Sequence, residues 1–217
     1  MDCFINLGDL LHRGYEPRKT LELMHRIVRS FRVISLLGNH DDAFLRSLPV
    51  SGSDPESIRA HDRIRGSPLL AMFDGMGLEW QYRGMLFVHG GPLERDGSWL
   101  DEKFWQRLSR WSGPSPSGYH YTASQAFTCL EERELRWLCI GHQHRHTCCR
   151  KTGGEIREYP LNPVPVGGDF GGERLAVAEI SLDDPAIIRI GACMGLVPEF
   201  GYTDFSRFSI IEMTREV

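Results

Sequence analysis

No window of this 217-residue chain comes near the roughly eighteen apolar residues that a membrane-spanning helix needs. The opening Met1-Asp2-Cys3-Phe4 also lacks the basic-then-apolar build of a secretory signal, so a cytoplasmic location is expected. Excess charge of one sign is missing as well: 25 Lys+Arg stand against 29 Asp+Glu, giving −4, and the basic residues are scattered. Proteins that grip a nucleic-acid backbone carry a basic stripe, so neither a nucleic acid nor a membrane is expected as partner. Cysteine is sparse. Cys3, Cys129, Cys139, Cys148, Cys149 and Cys193 show no Cys-x-x-Cys spacing, and four lie in or beside apolar runs. Reduced, mostly buried thiols are expected instead of a disulfide scaffold. Repeats and low-complexity tracts are absent, and only Pro49–Pro55 and Ser112–Gly118 have the composition of linkers.

What is present is an ordinary globular composition, 41% hydrophobic and 25% charged, in a length suited to one domain over residues 1–217. Cys3–Leu7 and Val33–Leu37 are short apolar runs flanking Pro17 to Phe31, where Leu21, Met24, Ile27, Val28 and Phe31 recur at helical spacing. This is the pattern of a βαβ unit with a parallel strand pair. A polar helical stretch follows to about Met76. Leu78–Tyr82 and Met85–Val88 then flank Arg83-Gly84 as a hairpin. Leu93–Trp111, with three Trp among charges, has the composition of a helical lid or exposed insertion. Thr122–Arg136 is an expected helix and Trp137–Ile140 a buried strand. From Thr147 the chain is β-rich, with a turn at Gly153-Gly154 and runs at Leu175–Leu182, Ile187–Cys193 and Phe208–Met213. The fold class is α/β.

Four apolar runs end abruptly in metal-type ligands: Gly8-Asp9, Gly38-Asn39-His40-Asp41, Val88-His89-Gly90-Gly91 and Gly141-His142-Gln143-His144. In α/β sheets, ligands gather outside the carboxyl ends of the strands, where glycines permit tight turns. Carboxylate, amide oxygen and imidazoles without a thiolate make a mixed O/N donor set, suited to Mn, Fe, Zn or Ni more than to Ca. Taken singly, each residue has a plainer reading. Asp9 alone is a turn or cap residue, Asn39-His40-Asp41 a helix cap, and Arg13 a solvated arginine. His12, His25, His61 and His120 read as surface or loop histidines. His142, His144 and His146 would share one face if extended, with His146 a supporting or surface residue. Trp99, Trp105 and Trp111 read as packing of a covering helix.

With Arg13-Gly14 following Gly8-Asp9, these motifs in this order resemble the calcineurin-like metallophosphoesterase superfamily over residues 4–144. A weaker likeness at Asn162–Gly168 resembles the Asn-Pro-Gly-Ser-Val-Gly loop of its small bacterial members. The resemblance implies a four-layer αββα sandwich with two mixed sheets. It further implies two divalent ions, with Asp9 bridging them, Asn39, His89 and His142 completing the second site, and His144 ligating the first. Two-metal hydrolysis of a phosphomonoester or phosphodiester follows, the ions clamping phosphoryl oxygens and activating water for in-line attack. His40 would protonate the leaving oxygen or stabilise its charge, and Arg13 would contact the phosphate.

The sequence departs from the family pattern twice. His12 stands where the protein-phosphatase branch has an Asp that orients the catalytic His, leaving Asp41 as the alternative orienter. No Asp-x-His precedes Asp9, where Asp2 is the one earlier acidic residue. The expectation is a domain lacking its first strand-helix unit, which an upstream reading frame encoding Asp-x-His would confirm. The rival is a catalytically weakened metal-binding or regulatory protein of the same fold, with one ion. A metallo-β-lactamase-type hydrolase is a further rival, but Arg145-His146 does not supply the Asp-His pair that family expects. A small phosphorylated molecule or a phosphoprotein is the expected substrate, and the region from Leu93 to Tyr121 is where its choice is expected to be set.

Overall fold

A computed structural model describes residues 3–49, 54–168 and 171–215, and of Arg215 only the backbone. Asp2 and residues 50–53 of the expected Pro49–Pro55 linker lie outside the described residues. The chain divides into two compact units, residues 1–80 and 81–217.

The first unit opens with β1 (Cys3–Asn6), α1 (Pro17–Ser30) and β2 (Arg32–Ser35), the expected βαβ unit. The two strands are parallel, in the register Cys3↔Arg32 to Asn6↔Ser35. Pro17 occupies the first turn of α1, where its missing N–H costs nothing. The helix buries Leu21 and Met24, but Val28 and Phe31 from the same periodic set are exposed. Next come α2 (Asn39–Leu45), α3 (Pro55–Asp62) and a 3-10 helix at Pro68–Gly75. Asp54 caps α3, accepting from the amides of Glu56 and Ser57. Leu11, Leu21, Phe44, Ile64 and Phe73 form the core of this unit.

The chain passes into the second unit within β3 (Glu79–Tyr82), which joins β4 (Met85–Val88) through the expected turn. Arg83 and Gly84 both have positive φ, 49° and 80°, as a two-residue hairpin turn matched to strand twist requires. Three short strands, β5 (Arg107–Ser109), β6 (Gly113–Ser115) and β7 (Gly118–Thr122), lead into α4 (Ala123–Glu132). Then follow β8 (Trp137–Ile140), β9 (Thr147–Thr152), β10 (Glu155–Tyr159), β11 (Val164–Val166), β12 (Glu173–Ser181), β13 (Ala186–Arg189), β14 (Glu199–Thr203) and β15 (Arg207–Arg215). The six-stranded sheet runs β10-β9-β13-β8-β4-β3, and a four-stranded antiparallel sheet runs β11-β12-β15-β14. In the first of these β4, β8 and β13 are parallel, while β9 pairs with β13 and β10 antiparallel, so the sheet is mixed. The three-stranded sheet β5-β7-β6 is mixed too. Both β4 and β8 are buried at every position, which explains their unbroken apolar sequences.

Two local expectations are corrected. Leu93–Trp111 is not a helical lid. It holds only single 3-10 turns at Trp99–Asp101 and Lys103–Trp105 before β5. The Gln106 side chain organises it instead, accepting from Leu93 N–H at 3.0 Å and donating to the carbonyls of Leu93 at 2.7 Å and Asp101 at 3.0 Å. Ser112–Gly118 is not a linker, because its residues build the β6–β7 hairpin. The Asn162–Gly168 segment contains β11, an exposed edge paired with β12. The cysteines are free; Cys139, Cys148 and Cys149 are buried and Cys193 is exposed. Among the described residues no helix is long and apolar enough to cross a membrane.

Phe127 of α4 packs with Leu86, Val88, Tyr121, Leu138, Ile140 and Ile187 in the core of the second unit. Phe127→Ala should therefore destabilise the protein by about 3–5 kcal/mol, measured as a lowered urea midpoint.

Candidate metal centre

In the first unit the site grows from the parallel register. Asn6 and Ser35 end β1 and β2 opposite one another, so both following loops leave the same end of the strand pair. Asn6 then steers its own loop, its Oδ1 accepting from Gly8 N–H at 3.2 Å. Gly8 (φ 103°) and Asp9 (φ 62°) are left-handed, a conformation that glycine takes freely and aspartate tolerates. From the other loop, His40 N–H donates to Asp9 Oδ1 at 2.9 Å.

Asp41 fastens the two loops together. Its Oδ2 accepts from Asp9 N–H (2.7 Å) and Gly38 N–H (3.1 Å), and its Oδ1 accepts from Leu11 N–H (3.0 Å). The Gly38 bond is the reach of a third-position helical carboxylate back to the cap residue, so the capping reading and the motif coincide. Asp41 is fully buried, and burial followed by the neighbouring Asp9 charge pushes its carboxyl well above the usual range, while the three amide donors pull it down. A Cβ on Gly38 would run into Asp9 Oδ1, so the loops approach only because residue 38 is glycine.

Asn39 and His40 open α2 and are buried, while Arg13 is half-buried in the turn after Asp9. Two histidines that the sequence places on the surface are buried as well. His12 (φ 71°) packs edge-on to the rings of His40, at 6.2 Å, and Phe44, at 6.0 Å, and lies 6.2 Å from His61. His61 Nδ1 is 2.8 Å from Ser57 O. Burial is the first cause lowering the pKa of both, so both favour the neutral imidazole. Their only sequence signal was proximity to apolar residues, which surface histidines share.

In the second unit β4 and β8 are parallel neighbours with Val88 opposite Ile140, so His89 and His142 leave adjacent strand ends. Gly141 N–H donates to His89 O at 2.9 Å, tying the two ends. His89 Nε2 lies 3.1 Å from His142 Nδ1, with both residues buried. The loop is pinned by Gln143, whose side-chain amide both accepts from and donates to the Leu108 backbone, at 2.9 and 3.0 Å. Gly90 fits against Lys103 O and Gln106 O, where a Cβ would meet them at 2.7 and 2.6 Å. The His142, His144, His146 series is not extended. His142 (φ 61°) and His144 (φ 54°) are left-handed, so the three side chains diverge: His142 is buried, His144 exposed and His146 half-buried. The region expected to shape substrate choice contributes Trp105, edge-on to His142 at 6.3 Å.

The donors suit a first-row divalent ion. Two imidazole nitrogens 3.1 Å apart have about the spacing of neighbouring ligands with metal–nitrogen bonds of about 2.0–2.1 Å. Cys139 and Cys148 are unsuited, since burial pushes both thiols up to about 12.

The sequence model of a family described as calcineurin-like phosphoesterase matches residues 2–146. No curated protein matches the chain by sequence. Among solved structures, a metallophosphoesterase from Sphaerobacter thermophilus aligns with TM-score 0.62 and 18% identity, over 100% of this chain and 78% of that one. A protein serine/threonine phosphatase from Saccharomyces cerevisiae, with similarity to human phosphatase PP5, aligns with TM-score 0.54 and 15% identity, over 99% and 71%. At these identities the likeness establishes the α/β fold.

Asp41→Ala would leave three amide donors without their acceptor in a buried place, and should cost about 3 kcal/mol or more in a urea titration. Asp41→Asn should recover only part of this, because its amide nitrogen would face a donor.

Proposed function

Because the chain belongs to the calcineurin-like phosphoesterase family, we propose that its metal-dependent phosphoester hydrolysis uses a dinuclear centre on a phosphomonoester or phosphodiester. The observation that carries this reading is the buried His89–His142 pair, two imidazoles from adjacent strand ends with facing nitrogens. Two imidazole nitrogens this close, both shielded from solvent, have the spacing of neighbouring ligands to one ion. The proposed ligands are Asp9, Asn39, His89, His142 and His144, for two ions drawn from Mn, Fe, Zn or Ni. The family match over residues 2–146 runs through both units, which supports reading residues 1–217 as one metallophosphoesterase domain.

Divalent ions bound there supply charge neutralisation at the phosphoryl oxygens and a more acidic water. The chain's own groups do the rest. The Asp41 bonds hold the Asp9 carboxylate and the start of α2 in one geometry. His40 carries the proton for the leaving oxygen, with its backbone fixed by the bond to Asp9. Arg13 offers a planar fork of donors to the phosphate. Buried His12 beside His40, where the protein-phosphatase branch carries Asp, favours a small phosphorylated molecule over a phosphoprotein. The proposed location is the cytoplasm.

The test is turnover of an aryl phosphate and a bis-aryl phosphate alongside elemental analysis. Asp9→Asn should lose metal and activity together. His40→Ala should lower kcat by about 10²–10⁴-fold with metal retained, and unchanged kcat would remove its acid role. One ion or none without turnover would favour the weakened metal-binding protein.

A further inference from the structure

A second group of ligand-type side chains lies in the second unit and shares no residue with the proposed phosphoesterase set. Glu199 begins β14 and Glu212 lies directly across from it on β15. Like charges directly opposite on adjacent strands repel, so a cation between them would relieve this pairing. Among the described residues no lysine or arginine ion pair reaches either carboxylate, and the group facing them is His146. Its Nδ1 lies 3.2 Å from Glu199 Oε2 and 3.7 Å from Glu212 Oε1. That nitrogen is shielded from solvent and makes no hydrogen bond, although it is within reach of one.

The carboxylate of Glu199 is held in advance. Gly191 N–H donates to its Oε2 at 2.9 Å, and a Cβ on Gly191 would occupy the space the carboxylate fills. Glu199 N–H donates in turn to Ala192 O at 3.0 Å. All three donor atoms lie within 4.8 Å of one another, close enough for small side-chain rotations to bring them to the bond lengths of about 2.0–2.2 Å that zinc takes with nitrogen and oxygen. We propose that His146, Glu199 and Glu212 bind one divalent transition-metal ion. Two carboxylates balance its charge. The imidazole selects a zinc-like ion over calcium or magnesium, and the absence of thiolate sets the site apart from a structural zinc cluster.

The plainer alternative is a protonated His146 acting as counter-ion, and metal counting separates the two. The whole chain, stripped with a chelator and dialysed against Zn²⁺, is compared with Glu199→Gln/Glu212→Gln and with Asp9→Asn by elemental analysis. The double variant is expected to bind one zinc fewer than the wild type while keeping the zinc that Asp9→Asn loses. Its melting temperature should rise less on zinc addition. His146→Ala, which leaves the sheet pairing intact, should weaken the same zinc by tenfold or more. Equal zinc content in the wild type, the double variant and His146→Ala would overturn the proposal, and if the double variant fails to fold, His146→Ala alone decides. Loss of zinc in these variants with none lost in Asp9→Asn would uphold this site while removing the phosphoesterase ligand set.

Discussion

One carboxylate holds the first half of the candidate site in shape. Asp41 bonds to amides 30 and 32 residues earlier in the chain, at Leu11 and Asp9, and to Gly38 beside it. A buried carboxylate is expensive, and several donors at short range offset part of that cost. The βαβ connection provides them, because a parallel strand pair in register releases both loops at one end. Without Asp41, the loop bearing Asp9 and the loop bearing Asn39 and His40 would lose their common anchor.

The second unit reaches a similar end by other means. Among its described residues no buried carboxylate stands at the strand ends. A backbone bond from Gly141 to His89 and the double clasp of Gln143 on Leu108 fix the loop that follows β8. In both units the residues with metal-binding chemistry begin where a parallel strand stops, buried throughout in β4 and β8 and partly exposed in β1 and β2, the place where a sheet can present polar groups without breaking its ladder. The strands carry stability and the loops carry chemistry.

Much of this was legible in the sequence because it is local. Abrupt endings of apolar runs in Asp, Asn and His pointed to the candidate site. The Pro17 start located α1, and Arg83-Gly84 and Gly153-Gly154 located two hairpins. What could not be read depends on partners distant along the chain. Gln106 turns Leu93–Trp111 into short turns by bonding residues 13 positions away, and no periodicity records that. β14 was missed because Glu-Phe-Gly-Tyr-Thr is short, mostly exposed and interrupted by Gly201, which lies against the Phe208 ring. His12 and His61 looked like surface residues because burial of a histidine leaves no pattern of its own, and the partners of His146 arrive from strands more than fifty positions later. Asp41 was placed by its motif, but its duty to three backbone amides was not, since the sequence offered it as an orienter of His40.

The left-handed backbone at Asp9, His12, His142 and His144 has one more consequence. Each of these residues holds a conformation that glycine would adopt with less strain, at a cost of roughly 1 kcal/mol or so apiece. At Asp9, His142 and His144, the proposed ligands among them, local folding preference and the proposed chemistry therefore pull the sequence in opposite directions. A lineage drifting under selection for robustness alone would slide toward glycine or asparagine there, and the loops would keep their path while losing their donors.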